Sequence, residues 1–347
     1  MYIDDARAYF EKTDEKYDLI VFGILDSQTL LSGMSSVRLD NFIYTLESFE
    51  QAHALLNDDG MISVTFFAQR LWIKQRLSNI LETVFNEPPV EVVIDETDWV
   101  MFLSGSGTDR DKVSAACENM ACTVVEEQII VKDIPPATDD WPYLYLQDRG
   151  IPLQYWIVLV IVVITAWGGT QRAFPDARGV NWHYFFLGGA FLLIEFKSIT
   201  ELALLFGSTW IVNAIAVTAV LLMVMLANIL VARLDRVNVK VLYGLLGAAL
   251  LVGFWVPLNV LLPFGGVARV LGALFLVGLP LFFSSMIFSI SLKDEKDVTL
   301  AFASNFFGSA VGGVLEYTSL VFGIRSLYVV GMLLYLASWR VLGAAKK

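Results

Sequence analysis

The chain has 347 residues, 56% of them hydrophobic, with a formal net charge of −11. The length allows two domains, and a mean hydropathy of +0.62 is high for a soluble protein. Residues 1–150 hold 11 Lys and Arg against 27 Asp and Glu, while 151–347 hold 13 against 8; so acidic a front half argues against nucleic acid as a partner.

Taken in chain order, MYIDDARAYF lacks the basic-then-apolar pattern of a signal peptide. It reads as a strand end, a turn at Asp4–Asp5 and a helix over 6–13. YDLIVFGI (17–24) is a continuous apolar run, as in a strand buried on both faces. Its first carboxylate afterwards is Asp26, opening a polar stretch, SQTLLSGMSSVRLD (27–40), with the composition of a surface loop or a lid. YTLESFEQAHALL (44–56) predicts a helix that Asn57-Asp58-Asp59-Gly60 stops. A strand over 60–68 follows, then a helix over 69–85 that is basic on its outer side, then strands over 90–94 and 98–105 that pair as a hairpin.

Strand, helix, strand, helix and a terminal hairpin make a partial doubly wound α/β sheet, whose ligands lie beyond the carboxyl ends of its strands. Cys117 and Cys122, in ACENMAC, have the spacing of neither a zinc knuckle nor a redox CxxC, and imply no disulfide framework. With only His53 and His183 besides, no metal is expected.

The series DDARAYF, KYDLIVFGILDS and YTLESFEQAHALLNDDGMISVTF resembles the later part of spermidine synthases, the polyamine aminopropyltransferases. It resembles more closely the bacterial multi-pass membrane proteins that carry a spermidine-synthase-like domain. The likeness covers residues 1–105 and continues through TDDWPYLYL (138–146), GGAFLLIEFKSITELALLFGSTW and NFFGSAVGGVLEYTSLVFGIRSLY. It implies a class I methyltransferase fold and a nucleoside cofactor, S-adenosylmethionine or its decarboxylated form. In that family an Asp and a following small residue touch the adenine; Asp5 and Ala6 stand there. Two further Asp residues follow the next strand, one deprotonating the amine and one holding it. Gly23 occupies the first of these positions and Asp26 the second, so Asp26 is the carboxylate left for catalysis. The family's glycine-rich loop and ribose-gripping acid have no counterpart among these residues, which read as a C-terminal portion whose N-terminal part is missing. The domains expected are a partial α/β domain over 1–125, a linker over 126–152 and an all-α transmembrane bundle over 153–347.

Seven apolar runs in the second half approach the length of a bilayer span. The second carries Glu195, Lys197 and Glu201, and the sixth carries Glu316; intramembrane charges point to function or to a network that locks helices. Lys197 and Glu201 share a face and can pair, whereas Glu195 lies roughly 200° from Lys197 around the helix. Ser304, Gly308 and Gly312 form a smooth stripe for close helix packing. Seven spans gather Arg172, Arg233, Lys240, Lys293 and Arg340 on the side away from the front domain, which the positive-inside rule makes cytoplasmic. Nucleoside chemistry calls for the front domain there instead, so both orientations stay open. The expected partners are the lipid bilayer of a bacterial inner membrane and a small amine or lipid-delivered substrate. The function expected is transfer of a methyl or aminopropyl group; the alternative is a transporter or channel with a regulatory, non-catalytic front domain.

Overall fold

The computed structural model describes residues 5–23, 25, 39–94, 97–126, 134–176, 179–207, 210–234, 237–261, 264 and 266–345. The chain divides into two compact units, Met1–Gly150 and Ile151–Lys347.

The first unit is a mixed five-stranded sheet with helices. Helix α1 (Ala6–Phe10) leads to β1 (Tyr17–Gly23). A 3-10 turn over Leu39–Tyr44 and helix α2 (Leu46–Ala54) return the chain to β2 (Leu56–Phe67), parallel to β1. Helix α3 (Leu71–Phe85) ends on Asn86 at φ 58°, a left-handed cap that Asn tolerates better than most residues. Strands β3 (Val90–Ile94) and β4 (Trp99–Ser104), helix α4 (Arg110–Cys117) and β5 (Cys122–Val124) complete the unit. The order is β1-β2-β4-β3-β5, with β4 inserted antiparallel between β2 and β3.

Alternation along the strands builds two cores. Phe22, Ile62, Val64, Phe66 and Phe102 pack with Phe49 of α2 and Ile73, Leu77 and Leu81 of α3. On the other core, Val92 and Leu103 meet Val113 and Cys117 of α4. Leu19 and Val21 of β1 are more than half exposed.

Four features depart from the sequence expectations. Strand β2 begins at Leu56, because the Asn57–Gly60 turn is absorbed as a register shift against β1 between Tyr17↔Leu56 and Leu19↔Met61. Cys117 and Cys122 form a disulfide joining α4 to β5, although no bridge was implied by their spacing. Within the expected linker, the described segment 134–147 contributes buried residues: Ile134, Ala137, Trp141 and Leu144. The cause is Arg76, which the amphipathic pattern of α3 placed outside. It is fully buried, sandwiched between Trp72 and Trp141 at 5.1 and 5.2 Å. It donates to the carbonyls of Pro135 (2.9 Å), Tyr143 (3.2 Å), Leu144 (2.6 Å) and Gln147 (3.0 Å). Its rigid five-donor fork ties down a segment with little secondary structure of its own.

The second unit is helical. Its helices are α5 (Leu153–Ala173), α6 (Trp182–Phe206), α7 (Trp210–Arg233), α8 (Val239–Trp255), α9 (Gly266–Lys293), α10 (Val298–Leu315), the short α11 (Ser319–Phe322) and α12 (Ser326–Ala345). Among the described residues, α5, α7, α9, the stretch Val298–Phe322 and α12 are long and apolar enough to cross a membrane, which makes this a multi-pass membrane protein. Helix α6 is 25 residues long but carries Glu195, Lys197 and Glu201, and α8 has 17 residues. Helix α6 is central, packed on α10 and α12 and touching α7 and α9. Its seam with α10 is backbone against backbone. A Cβ added at Gly308 would sit 2.0 Å from the Phe185 carbonyl oxygen, and one at Gly312 would sit 2.3 Å from that of Gly189.

Candidate functional site

In the α/β unit, Asp5 is the N-cap of α1, and its carboxylate accepts the Ala8 N–H at 3.1 Å. Ala6 opens the helix and is half-buried. Asp26 and most of the 27–40 stretch lie outside the described residues. Strand β1 delivers Gly23 to its carboxyl end, where a Cβ would meet nothing within 4 Å. Just beyond, the Leu25 N–H donates to the hydroxyl of buried Tyr44 at 3.1 Å.

Behind this strand end sits a charged network that sequence reading missed. Arg7 grips both oxygens of Asp139 at 2.9 and 2.8 Å, and donates to the Phe42 carbonyl (2.7 Å) and the Thr45 hydroxyl (2.9 Å). The Thr45 hydroxyl lies 2.7 Å from Asp139, and the Asp139 N–H donates to Glu47 at 2.8 Å. Burial pulls the Arg7 guanidinium down, but the hydrogen bond and charge of Asp139 outweigh it and leave the group above its ordinary value. Burial, followed by the Asp139 charge, pushes the Glu47 carboxyl up. Such a network fixes α1, α2 and the 134–147 segment in one geometry. Its only sequence signal was the TDDWP run.

In the helical unit, α6 places Lys197 and Glu201 one turn apart, and they form an ion pair. The Tyr328 hydroxyl, from α12, donates to Glu201 at 3.0 Å. Lys197 is buried, with its ammonium 3.9 Å from the Tyr328 ring centroid. Glu195 stands on another face of α6, half-buried, with neither hydrogen bond nor ion pair among the described residues. Glu316 is buried in the 3-10 turn that ends α10, where its carbonyl accepts the Ser319 hydroxyl at 2.6 Å. The structure therefore brings Lys197 and Glu201 together and adds Tyr328, which no spacing along one helix reveals.

Nearer the start of α6, His183 is held through its two ring nitrogens by Ser338 (2.8 Å) and Ser291 (3.0 Å), and Ser338 also meets Tyr243 at 3.0 Å. No cluster of metal-ligating residues occurs among the described residues. No family model, no curated protein and no solved structure matches the chain.

Proposed function

We propose that this membrane protein carries a methyltransferase-type, spermidine-synthase-like domain that moves an aminopropyl or methyl group from a nucleoside sulfonium to an amine. The sulfonium is S-adenosylmethionine or its decarboxylated form, and the amine is small or lipid-delivered. The observation that carries the reading is the sheet order. Two parallel strands joined through a helix, followed by a terminal antiparallel pair, are the elements that half of a doubly wound sheet would contribute, and the carboxyl edge of such a sheet takes ligands.

In this reading Asp5 and Ala6 lie against the adenine, and Asp26 holds the amine. A C–N bond forms as the C–S bond breaks, the thioether leaves, and the amine's proton passes to water, because Gly23 offers no base. A general base is worth about 10²–10⁴-fold, so the native chain is expected to be slow. The position of Gly23 gives a direct test, since a Cβ there meets nothing within 4 Å among the described residues: the substitution Gly23→Asp. The assay is transfer of label from decarboxylated S-adenosylmethionine to putrescine by the purified protein. A rate gain of about 10²-fold or more in Gly23→Asp supports the reading. Binding of neither nucleoside, together with no gain from the substitution, overturns it.

A second reading, cation transport by the helical unit, is favoured by Glu195, an intramembrane carboxylate without a partner among the described residues. Uptake of putrescine into proteoliposomes that falls in Glu195→Gln supports it; uptake equal in the two proteins, or absent from both, counts against it.

A further inference from the structure

Helices α6, α7, α9 and α10 enclose a cavity of about 400 Å³, within the size range of small-molecule sites. Helices α9 and α10 meet beside it through the rings of Phe288 and Phe302, whose centroids are 5.9 Å apart. Phe302 is exposed on the outside of the bundle, so the cavity borders the surface that faces lipid in a membrane.

Leu187, Phe191, Val224 and Phe302 are among its apolar lining residues. Its polar lining residues are Asn228, Ser284, Ser285, Ser289, Asn305 and Ser309. No charged side chain is among the lining residues. The hydrogen bonds sort these groups by what they can still offer. Ser284 and Ser285 donate to the Leu281 carbonyl at 3.0 and 2.7 Å, which leaves their oxygen lone pairs as acceptors. Ser289 donates to the Asn228 carboxamide oxygen, which directs the amide N–H groups of Asn228 elsewhere as donors. Asn305 donates one of its amide N–H groups to the Tyr184 carbonyl at 3.3 Å.

The cavity thus offers acceptors on α9, donors on α7 and an apolar wall. A hydroxyl group both donates and accepts, so it answers both. An ammonium or a carboxylate would find hydrogen-bond partners there but no countercharge, because no lining side chain is charged. Asn228 is also a polar group exposed on a membrane-spanning helix, which a bound hydroxyl would satisfy. We propose that this cavity binds a neutral, hydroxyl-bearing amphiphile that enters from the hydrocarbon layer. The site stands independently of the transferase reading, since it excludes the charged amine and the sulfonium alike.

The test is photolabelling of the full chain in lipid nanodiscs with four diazirine probes of one chain length: a fatty alcohol, a fatty amine, a fatty acid and an alkane. The alcohol is expected to label the segments 187–191 and 284–292 about fivefold more than the other three, the worth of about one net hydrogen bond. Ser285→Ala and Asn228→Leu should each bring it near the alkane level, and Val224→Trp, which fills the space, should abolish labelling there. Equal labelling by all four probes, stronger labelling by the amine or the acid, or alcohol labelling that survives the substitutions overturns the proposal. If Val224→Trp fails to fold, as judged by its thermal melt, the two polar substitutions decide alone.

Discussion

The ammonium of Lys197 sits 3.9 Å from the centre of the Tyr328 ring, while the hydroxyl of the same tyrosine donates to Glu201, the carboxylate that Lys197 is paired with. One side chain of α12 therefore serves both members of an ion pair on α6. Breaking a buried pair from one side strands a charge and costs about 3–5 kcal/mol, whereas removing both partners can be nearly neutral. Lys197→Met is expected to lower the melting temperature of the solubilised protein strongly, and Lys197→Met with Glu201→Leu to recover most of the loss. Tyr328→Phe keeps the ring and loses one hydrogen bond to a charged group, worth about 1.5–3 kcal/mol. A double variant no more stable than Lys197→Met would show that the pair is not the unit of stability.

The seam between α6 and α10 predicts an inverted sign. In an exposed helix interior, Gly→Ala is stabilising by about 1 kcal/mol. At Gly308 the added methyl would lie 2.0 Å from a backbone oxygen that cannot swing away. Gly308→Ala is therefore expected to be destabilising, and Gly312→Ala likewise. Gly169→Ala on α5, where a Cβ meets nothing within 4 Å, should be neutral or slightly stabilising in the same thermal melts.

Arg76 should prove the strongest single determinant of the 134–147 segment. Burial draws its guanidinium down to about 10, against the opposing charge of Asp148. Arg76→Met leaves the carbonyls of Pro135, Tyr143, Leu144 and Gln147 without this donor. Each orphaned group costs about 1–3 kcal/mol where it stays buried. Hydrogen exchange is the readout: protection in 134–147 should collapse in Arg76→Met and remain poor in Arg76→Lys, which lacks the planar fork. Retained protection in Arg76→Lys would mean that charge, not geometry, is what matters.

Glu47 supplies a pH dependence. Its folded value is raised, chiefly by burial, above the ordinary 4.5. The folded state thus prefers the protonated form, and the stability this contributes is full below the unfolded value and lost as pH rises through the folded one. Glu47→Gln keeps an acceptor for the Asp139 N–H and removes the charge. The variant's stability should fall less than the wild type's between pH 4.5 and neutrality, as followed by denaturant melts. A steeper fall in the variant would assign the opposite sign to this carboxylate.

The helical unit was largely legible because each span is a run of apolar residues bounded by polar ones. Its observed helices Trp182–Phe206 and Ser326–Ala345 end within two residues of the apolar runs 184–206 and 325–343. Strands β3 and β4 were legible for the same reason. Helix α4 and β5 were not: α4 buries only Cys117, so its sequence carries little apolar periodicity. The 134–147 segment hid as a linker because Pro, Asp and aromatic residues have no period, and what holds it is an arginine 59 residues upstream. At the charged site, Lys197 and Glu201 were visible as neighbours on one helix. Tyr328 was not, since it lies 127 positions from Glu201. The cavity needs four helices at once, and none of its serines or asparagines is distinctive alone.

The bond between Cys117 and Cys122 also makes the α/β unit a recorder of its own address. Such a link endures where thiols are left oxidised and is undone where glutathione and thioredoxin keep them reduced. Alkylating intact cells before lysis, then weighing the 110–126 peptide, reads the compartment from the mass of two sulfur atoms. A bonded peptide puts the sheet on the oxidising face of the membrane, where any nucleoside it uses must first be exported. A doubly alkylated one puts it on the reducing face, beside the pool in which sulfonium nucleosides are made.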